Sequence, residues 1–208
     1  PESVVSVARL TPAALYYVGE GELTHRLVIV DEYDGAAEAD HALRVLQSRG
    51  ELSVSAPVQG RTAARTVKGP VAVMSGTVAP ESLDSQNRSR CLLLELDDSE
   101  AQTRRVQEAQ AKSWAGTATK SPDLELWRDA QRVLAKEVPV RVAIPFATKL
   151  KFPTRSTTDR RASAQILGLV AASALLHSRQ RKRDKAGRVV ATLDDYRTVH
   201  SLVAPVFR

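Results

Sequence analysis

The stretch Leu27-Val28-Ile29-Val30-Asp31-Glu32 constrains the fold more than any other part of the chain. Its four apolar residues, three of them β-branched, predict a short strand covered on both faces, as in a parallel sheet. Two carboxylates stand at its end. Ligands of open α/β sheets sit beyond the carboxyl ends of the strands, so this strand would carry Asp31 and Glu32 to the reactive edge. There Asp31 can hold a hydrated Mg²⁺ and Glu32 can polarise an attacking water. An apolar strand ending in acids can equally turn into solvent with no such role. The elements downstream of it in the chain decide between these readings.

Two further buried strands are expected downstream. Val71-Ala72-Val73-Met74 ends in Ser75-Gly76-Thr77, and Cys91-Leu92-Leu93-Leu94-Glu95-Leu96 comes after an Arg88-Ser89-Arg90 corner. Between the first two strands, Ala36 to Ser48 reads as a helix stopped by Gly50. Glu51 to Lys68 reads as a hairpin or long loop whose distal half, from Gln59 on, is basic and free of acids. A short helix capped by Thr11, with Pro12 in its first turn, precedes the acidic strand. Helices are expected from Glu100 to Trp114 and from Ser121-Pro122 to before Pro139, with a weak strand over Val138 to Ile144. A long helix over Asp159 to Arg183 has a centre, Ile166 to Leu176, that is apolar almost all round and is expected to be deeply buried. A last helix, capped by Thr192, places Leu193, Tyr196, Val199, His200 and Val203 on one face. Tyr16, Tyr17, Trp114 and Trp127 are expected to pack in the core.

These elements predict an α/β fold: a parallel-sheet core over residues 1–115, then a mostly helical, basic, lid- or winged-helix-like subdomain over 116–208. Arg141 to Lys185 holds eleven Lys and Arg against only Asp159 and Asp184. The run Arg179 to Arg183 reads as a solvated helix end. The net charge of +6 permits a nucleic-acid partner without requiring one. The one cysteine, Cys91, excludes an internal disulfide and a cysteine-based zinc site. No apolar run approaches the ~18 residues of a membrane span, and the expected compartment is cytoplasmic.

Taken together, the acidic strand reads as the Walker B element of a nucleoside triphosphatase. In NTPases with a helical lid, the neighbouring strand presents a polar sensor to the γ-phosphate, and Thr77 or Ser75 suits that role. Arg90, or less strongly Arg88, is a candidate to reach the nucleotide of a neighbouring subunit. The element order resembles the AAA+ core of the minichromosome maintenance helicases: Walker B, helix, hairpin, sensor strand, Ser-Arg corner and helical lid. Ser89-Arg90-Cys91 is similar to their Ser-Arg-Phe arginine finger, and Arg160-Arg161 to the start of their sensor-2 helix. The wording His25-Arg26-Leu27-Val28-Ile29-Val30-Asp31-Glu32, Ala42 to Ser48, Gly69 to Met74 and Asp97 to Thr103 also resembles the ATPase/helicase-like region of bacterial and mobile-element DNA primase-type proteins. That resemblance covers nearly the whole chain.

The resemblance implies an ATP- and Mg²⁺-dependent motor, a homo-oligomeric ring and single-stranded DNA as partner. It implies that Arg61, Arg65 and Lys68 touch the DNA backbone from a pore hairpin, although no aromatic residue in that hairpin offers a stacking platform. One departure is decisive. Phosphate cradling in this class needs Gly-x-x-x-x-Gly-Lys-Ser/Thr, and no Gly-Lys-Ser or Gly-Lys-Thr occurs in the sequence. The expectation is a P-loop segment, and often a primase portion, upstream in a larger protein, with the 208 residues alone hydrolysing ATP hardly at all. The alternative is a non-enzymatic nucleic-acid-binding or scaffold module on a decayed ATPase fold.

Overall fold

A computed structural model of the chain describes residues 3–19, 21–33, 39–58, 61–117, 124–136 and 141–204. The fold is α/β, built as two compact units, Pro1–Arg88 and Ser89–Arg208.

In the first unit, β1 (Val4–Val7) is followed by α1 (Pro12–Tyr17). Thr11 caps α1 as expected, its hydroxyl oxygen accepting the Ala14 N–H at 3.3 Å. Next come β2 (Arg26–Glu32) and α2 (Asp40–Arg49). The expected start of α2 near Ala36 lies outside the described residues. Gly50 ends α2 in the left-handed conformation, φ 74°, with its N–H on the Leu46 carbonyl. A side chain there meets no neighbour but carries the backbone cost of positive φ. Gly50→Ala should therefore lower stability by about 1 kcal/mol, read as a small fall in thermal midpoint.

β3 (Glu51–Val58) and β4 (Arg61–Lys68) form the expected antiparallel hairpin. β5 (Val71–Gly76) returns to the first sheet. That sheet is parallel, in the order β1-β2-β5, with the acidic strand in the middle. One face of it is covered. Val28 and Val30 point into a core with Leu15 of α1, Ala42, Leu43 and Leu46 of α2, Leu52 of β3 and Val67 of β4. Each fully buried Val or Leu side chain here contributes ~1.5–3 kcal/mol.

Three expectations about these strands are corrected. β2 is covered fully on one face only, and Leu27 and Ile29 on the other are half-buried. β5 is an edge strand rather than a buried one, with Ala72 and Met74 exposed. Cys91 to Leu96 is no strand. It belongs to none of the described sheets, and Leu94 and Leu96 stand in solvent. An apolar run becomes a strand only where another strand's edge satisfies its N–H and C=O groups, and no described strand pairs with it.

The short α3 (Ser85–Arg88) closes the first unit, and α4 (Glu100–Trp114) begins the helices of the second. Ser99 caps α4, accepting the Gln102 N–H. The compositional boundary at 115 falls at the end of this helix. No residue of α4 or of α5 (Leu124–Lys136) is buried. Trp114 and Trp127 are thus solvent-exposed rather than core residues. The expected Ser121-Pro122 cap of α5 lies outside the described residues.

The remaining elements are β6 (Val142–Ala143), α6 (Thr157–Leu176), β7 (Val189–Val190) and α7 (Leu193–Val203). β6 and β7 pair in parallel. α6 ends near His177, short of Arg183, and is buried along one face instead of all round: Val170, Ser173 and Ala174 are inside, Gly168, Ala172 and Leu176 outside. Its core partners are Val189, Ala191, Val199 and Val203.

At the centre of this second core lies Asp195, 1% exposed. Its carboxylate accepts from Arg181 Nε at 3.0 Å and Nη2 at 2.8 Å, from Ser173 Oγ at 2.9 Å, and from the Thr192 N–H at 2.8 Å and hydroxyl at 3.1 Å. Burial alone would push this carboxyl's pKa up. The Arg181 guanidinium, then the Thr192 N–H and the Ser173 and Thr192 hydroxyls, outweigh burial and hold it well below the usual carboxylate range. Arg181 is therefore an internal ion-pair partner and not part of a solvated helix end.

Candidate functional site

The acidic pair owes its position to an irregularity. Val30 pairs with Ser75 and Glu32 with Gly76, so β2 carries one more residue than β5 at this point. Without that bulge, strand alternation would put Glu32 on the same face as Val28 and Val30, under the sheet. A bulge bends the strand and re-aims the side chains after it. Both Asp31 and Glu32 are exposed at the carboxyl end of the central strand. The parallel neighbour β5 ends alongside, bringing Ser75-Gly76-Thr77 to the same edge. A Cβ at residue 76 would lie 3.3 Å from the Asp31 carbonyl oxygen, so glycine suits the close approach of the two strand ends. Ser75 is exposed. Thr77 is half-buried, and its hydroxyl oxygen accepts the Ala79 N–H at 3.1 Å, a local turn bond that leaves the hydroxyl proton free to be donated.

Sequence reasoning missed the polar cluster behind this edge. Tyr33, immediately after Glu32, donates its hydroxyl proton to the Asp40 carboxylate in the first turn of α2. The buried Asn87 amide donates to the same Tyr33 oxygen at 3.0 Å. Arg44 of α2 donates to Asp84 at 3.0 Å. The exit of β2, the start of α2 and the segment around α3 are thereby tied together. The only sequence signal was a tyrosine next to the acids, with Asp40 and Asn87 far apart along the chain.

The basic hairpin is ordered as a ladder in which Val54 faces Arg65 and Glu51 faces Lys68. Arg65 shares parity with the buried Val67, whereas Lys68 lies on the other face, across from Glu51. Arg61 pairs with Val58 at the far end of the ladder. The guanidinium of Arg65 lies over the ring of Tyr17, 5.3 Å from its centroid. Tyr17 is 71% exposed, while Tyr16 packs against the core. The hairpin itself lacks an aromatic residue, but α1 supplies one beside it.

In the second unit, Arg161 of α6 donates to Ser89 Oγ at 2.7 Å. The two features expected to serve as sensor-2 helix and arginine-finger corner are thus in direct contact. Arg161 and Arg90 are half-buried, and Arg160 is exposed. Asp97 pairs with Arg105 at 3.4 Å and accepts the Ser99 N–H. The Ser99 contacts hold the Asp97 carboxyl below its ordinary pKa.

Among the described residues, no three His, Cys, Asp or Glu side chains gather into a metal site. Mg²⁺ is commonly held by one or two carboxylates completed by phosphate oxygens and water. The exposed strand-end carboxylate of Asp31 fits that donor chemistry, whereas no residue set in the sequence fits the phosphate cradle ATP requires. Among the described residues, no helix is long and apolar enough to cross a membrane. Compared with known proteins, the chain matches no family model and no curated protein.

Proposed function

We propose that this chain is part of an ATP-driven DNA motor of the replication type, a cytoplasmic helicase associated with priming. The observation that carries the reading is the strand edge. A central parallel strand bulges so that Asp31 and Glu32 both reach solvent, next to the Ser75-Gly76-Thr77 end of its parallel neighbour.

The roles derive from chemistry. Asp31 holds the water shell of Mg²⁺, which when bound offsets phosphate charge. Glu32 accepts a proton from the attacking water. Thr77, with Ser75 beside it, donates a hydrogen bond toward the γ-phosphate. Arg160 and Arg161 contact the nucleotide from the lid. Arg90 acts across a subunit boundary in a head-to-tail homo-oligomeric ring, where such an arginine is worth roughly 10³–10⁵ in rate. The phosphate loop comes from a P-loop segment on the same polypeptide, alongside any primase domain.

The hairpin basics Arg61, Arg65 and Lys68 serve single-stranded DNA by neutralising phosphates. Salt-titrated binding of oligo(dT) tests this directly. Each lost phosphate contact should flatten the slope of log K against log salt by about 0.7. Because Arg65 and Lys68 lie on opposite faces of the ladder, one strand meets only one of them. The variants Arg65→Ala and Lys68→Ala should therefore differ, with only the one on the face the strand follows losing slope. A slope unchanged when all three basic residues are replaced by Ala would count against phosphate contact at the hairpin.

The second reading is a nucleic-acid-binding or scaffold module without hydrolysis, favoured by the absence of Gly-Lys-Ser/Thr from the sequence. The coding sequence upstream of Pro1 separates the two. An in-frame Gly-Lys-Ser/Thr supports the motor, and its absence supports the module.

A further inference from the structure

We infer that Tyr17 and Arg65 form a base-stacking step for single-stranded nucleic acid at the flank of the hairpin. The inference rests on the proposed nucleic-acid role of the hairpin and adds what the charge pattern alone does not contain, a surface for the bases. Tyr17 is the last residue of α1, and its neighbour Tyr16 packs against the core while Tyr17 stands 71% exposed. Its ring therefore does little for the fold. It lies instead under the Arg65 guanidinium, 5.3 Å from centroid to carbon, and Arg65 is itself exposed.

An exposed cation–π contact stabilises a fold only weakly. For a ligand, the same pair supplies a π-face or a planar guanidinium on which a base stacks, with a positive charge beside it to attract a phosphate. Every base has a π-face, so the step is sequence-tolerant. The ligand class is an unpaired DNA or RNA strand, because the bases of a duplex are already stacked on one another.

Fluorescence anisotropy with labelled oligo(dT), over a range of salt, reads the step in the chain as it stands. Tyr17→Ala is expected to weaken binding about ten-fold, in the range seen when a stacking aromatic is removed. Its salt slope should match the wild type, since no charge is lost. Tyr17→Phe should bind within about two-fold of wild type, and Tyr17→Leu, which keeps apolar bulk for the fold, should weaken binding as Ala does. Arg65→Ala should lose both affinity and about 0.7 of slope. An abasic oligonucleotide should bind wild type and Tyr17→Ala equally.

If Tyr17→Ala and Tyr17→Leu, folded by their melting curves, bind oligo(dT) as tightly as wild type while Arg65→Ala does not, the stacking step is overturned and the phosphate role of the hairpin stands. If wild type shows no salt-dependent binding to oligo(dT), the nucleic-acid reading itself is overturned, and the step with it.

Discussion

Asp195→Ala should lower the stability of the second unit by about 3–5 kcal/mol, the range seen when one partner of a buried ion pair is removed. At a few degrees per kcal/mol for a domain of this size, the thermal midpoint should fall by roughly 10 °C. The cause is what the substitution leaves behind. Arg181, with only 16% of its side chain exposed, would keep its charge and lose both bonds to Asp195. Ser173 and the first turn of α7 would lose their acceptor as well. Asp195→Asn retains the shape and part of the hydrogen bonding but not the charge, and should fall between wild type and Ala. A double substitution, Arg181→Met with Asp195→Leu, should recover much of the loss, because buried pairs replaced by apolar residues are often neutral in stability.

The same network sets a pH dependence. The Asp195 carboxyl is held below its unfolded value of about 3.9. Between the folded and unfolded values the unfolded chain binds the extra proton, so stability rises with pH across that interval. The contribution is complete above about pH 4–5 and is lost as pH falls toward the depressed folded value. Asp195→Asn should remove this acid-side component, so that below about pH 4 its midpoint falls less steeply with falling pH than that of the wild type.

The second large effect concerns Glu32. In a polypeptide that unites these residues with a Gly-Lys-Ser/Thr phosphate loop, Glu32→Gln should reduce ATP turnover by about 10²–10⁴-fold, the usual worth of a positioned general base. The substitution keeps size and hydrogen-bonding capacity while removing the proton acceptor. Nucleotide binding, which uses Asp31 and the phosphate loop, should persist. Asp31→Asn should instead weaken the Mg²⁺ dependence. The bulge between Val30 and Glu32 underlies the first expectation, because it frees Glu32 from the buried face of the sheet.

Elements set by local chemistry were legible in the sequence. Thr11 and Gly50 announce helix ends through a side chain or backbone freedom, and each stands where those rules place it. The hairpin and the central acidic strand were legible from alternation and β-branching. Features that depended on partners were not. Cys91 to Leu96 has the composition of a buried strand but finds no edge among the described strands. The apolar centre of α6 looks buried all round in one dimension, yet α7 and β7 cover one face only. Arg181 reads as one cation in a solvated run until Asp195 is folded against it. At the candidate site, the acids, Ser75 and Thr77 were legible as strand ends. The bulge that exposes Glu32, the Tyr33–Asp40–Asn87 cluster and the pairing of Tyr17 with Arg65 join residues that no local pattern connects.

The most direct measurement of the central claim pairs nucleotide binding with single-turnover hydrolysis, comparing wild type and Glu32→Gln in the polypeptide that carries the phosphate loop. Both should bind Mg²⁺-ATP with affinities within a few-fold, and only the wild type should cleave it at a measurable rate. Undiminished cleavage by Glu32→Gln would contradict the assignment of the acidic strand end as the water-activating edge of a nucleotide site.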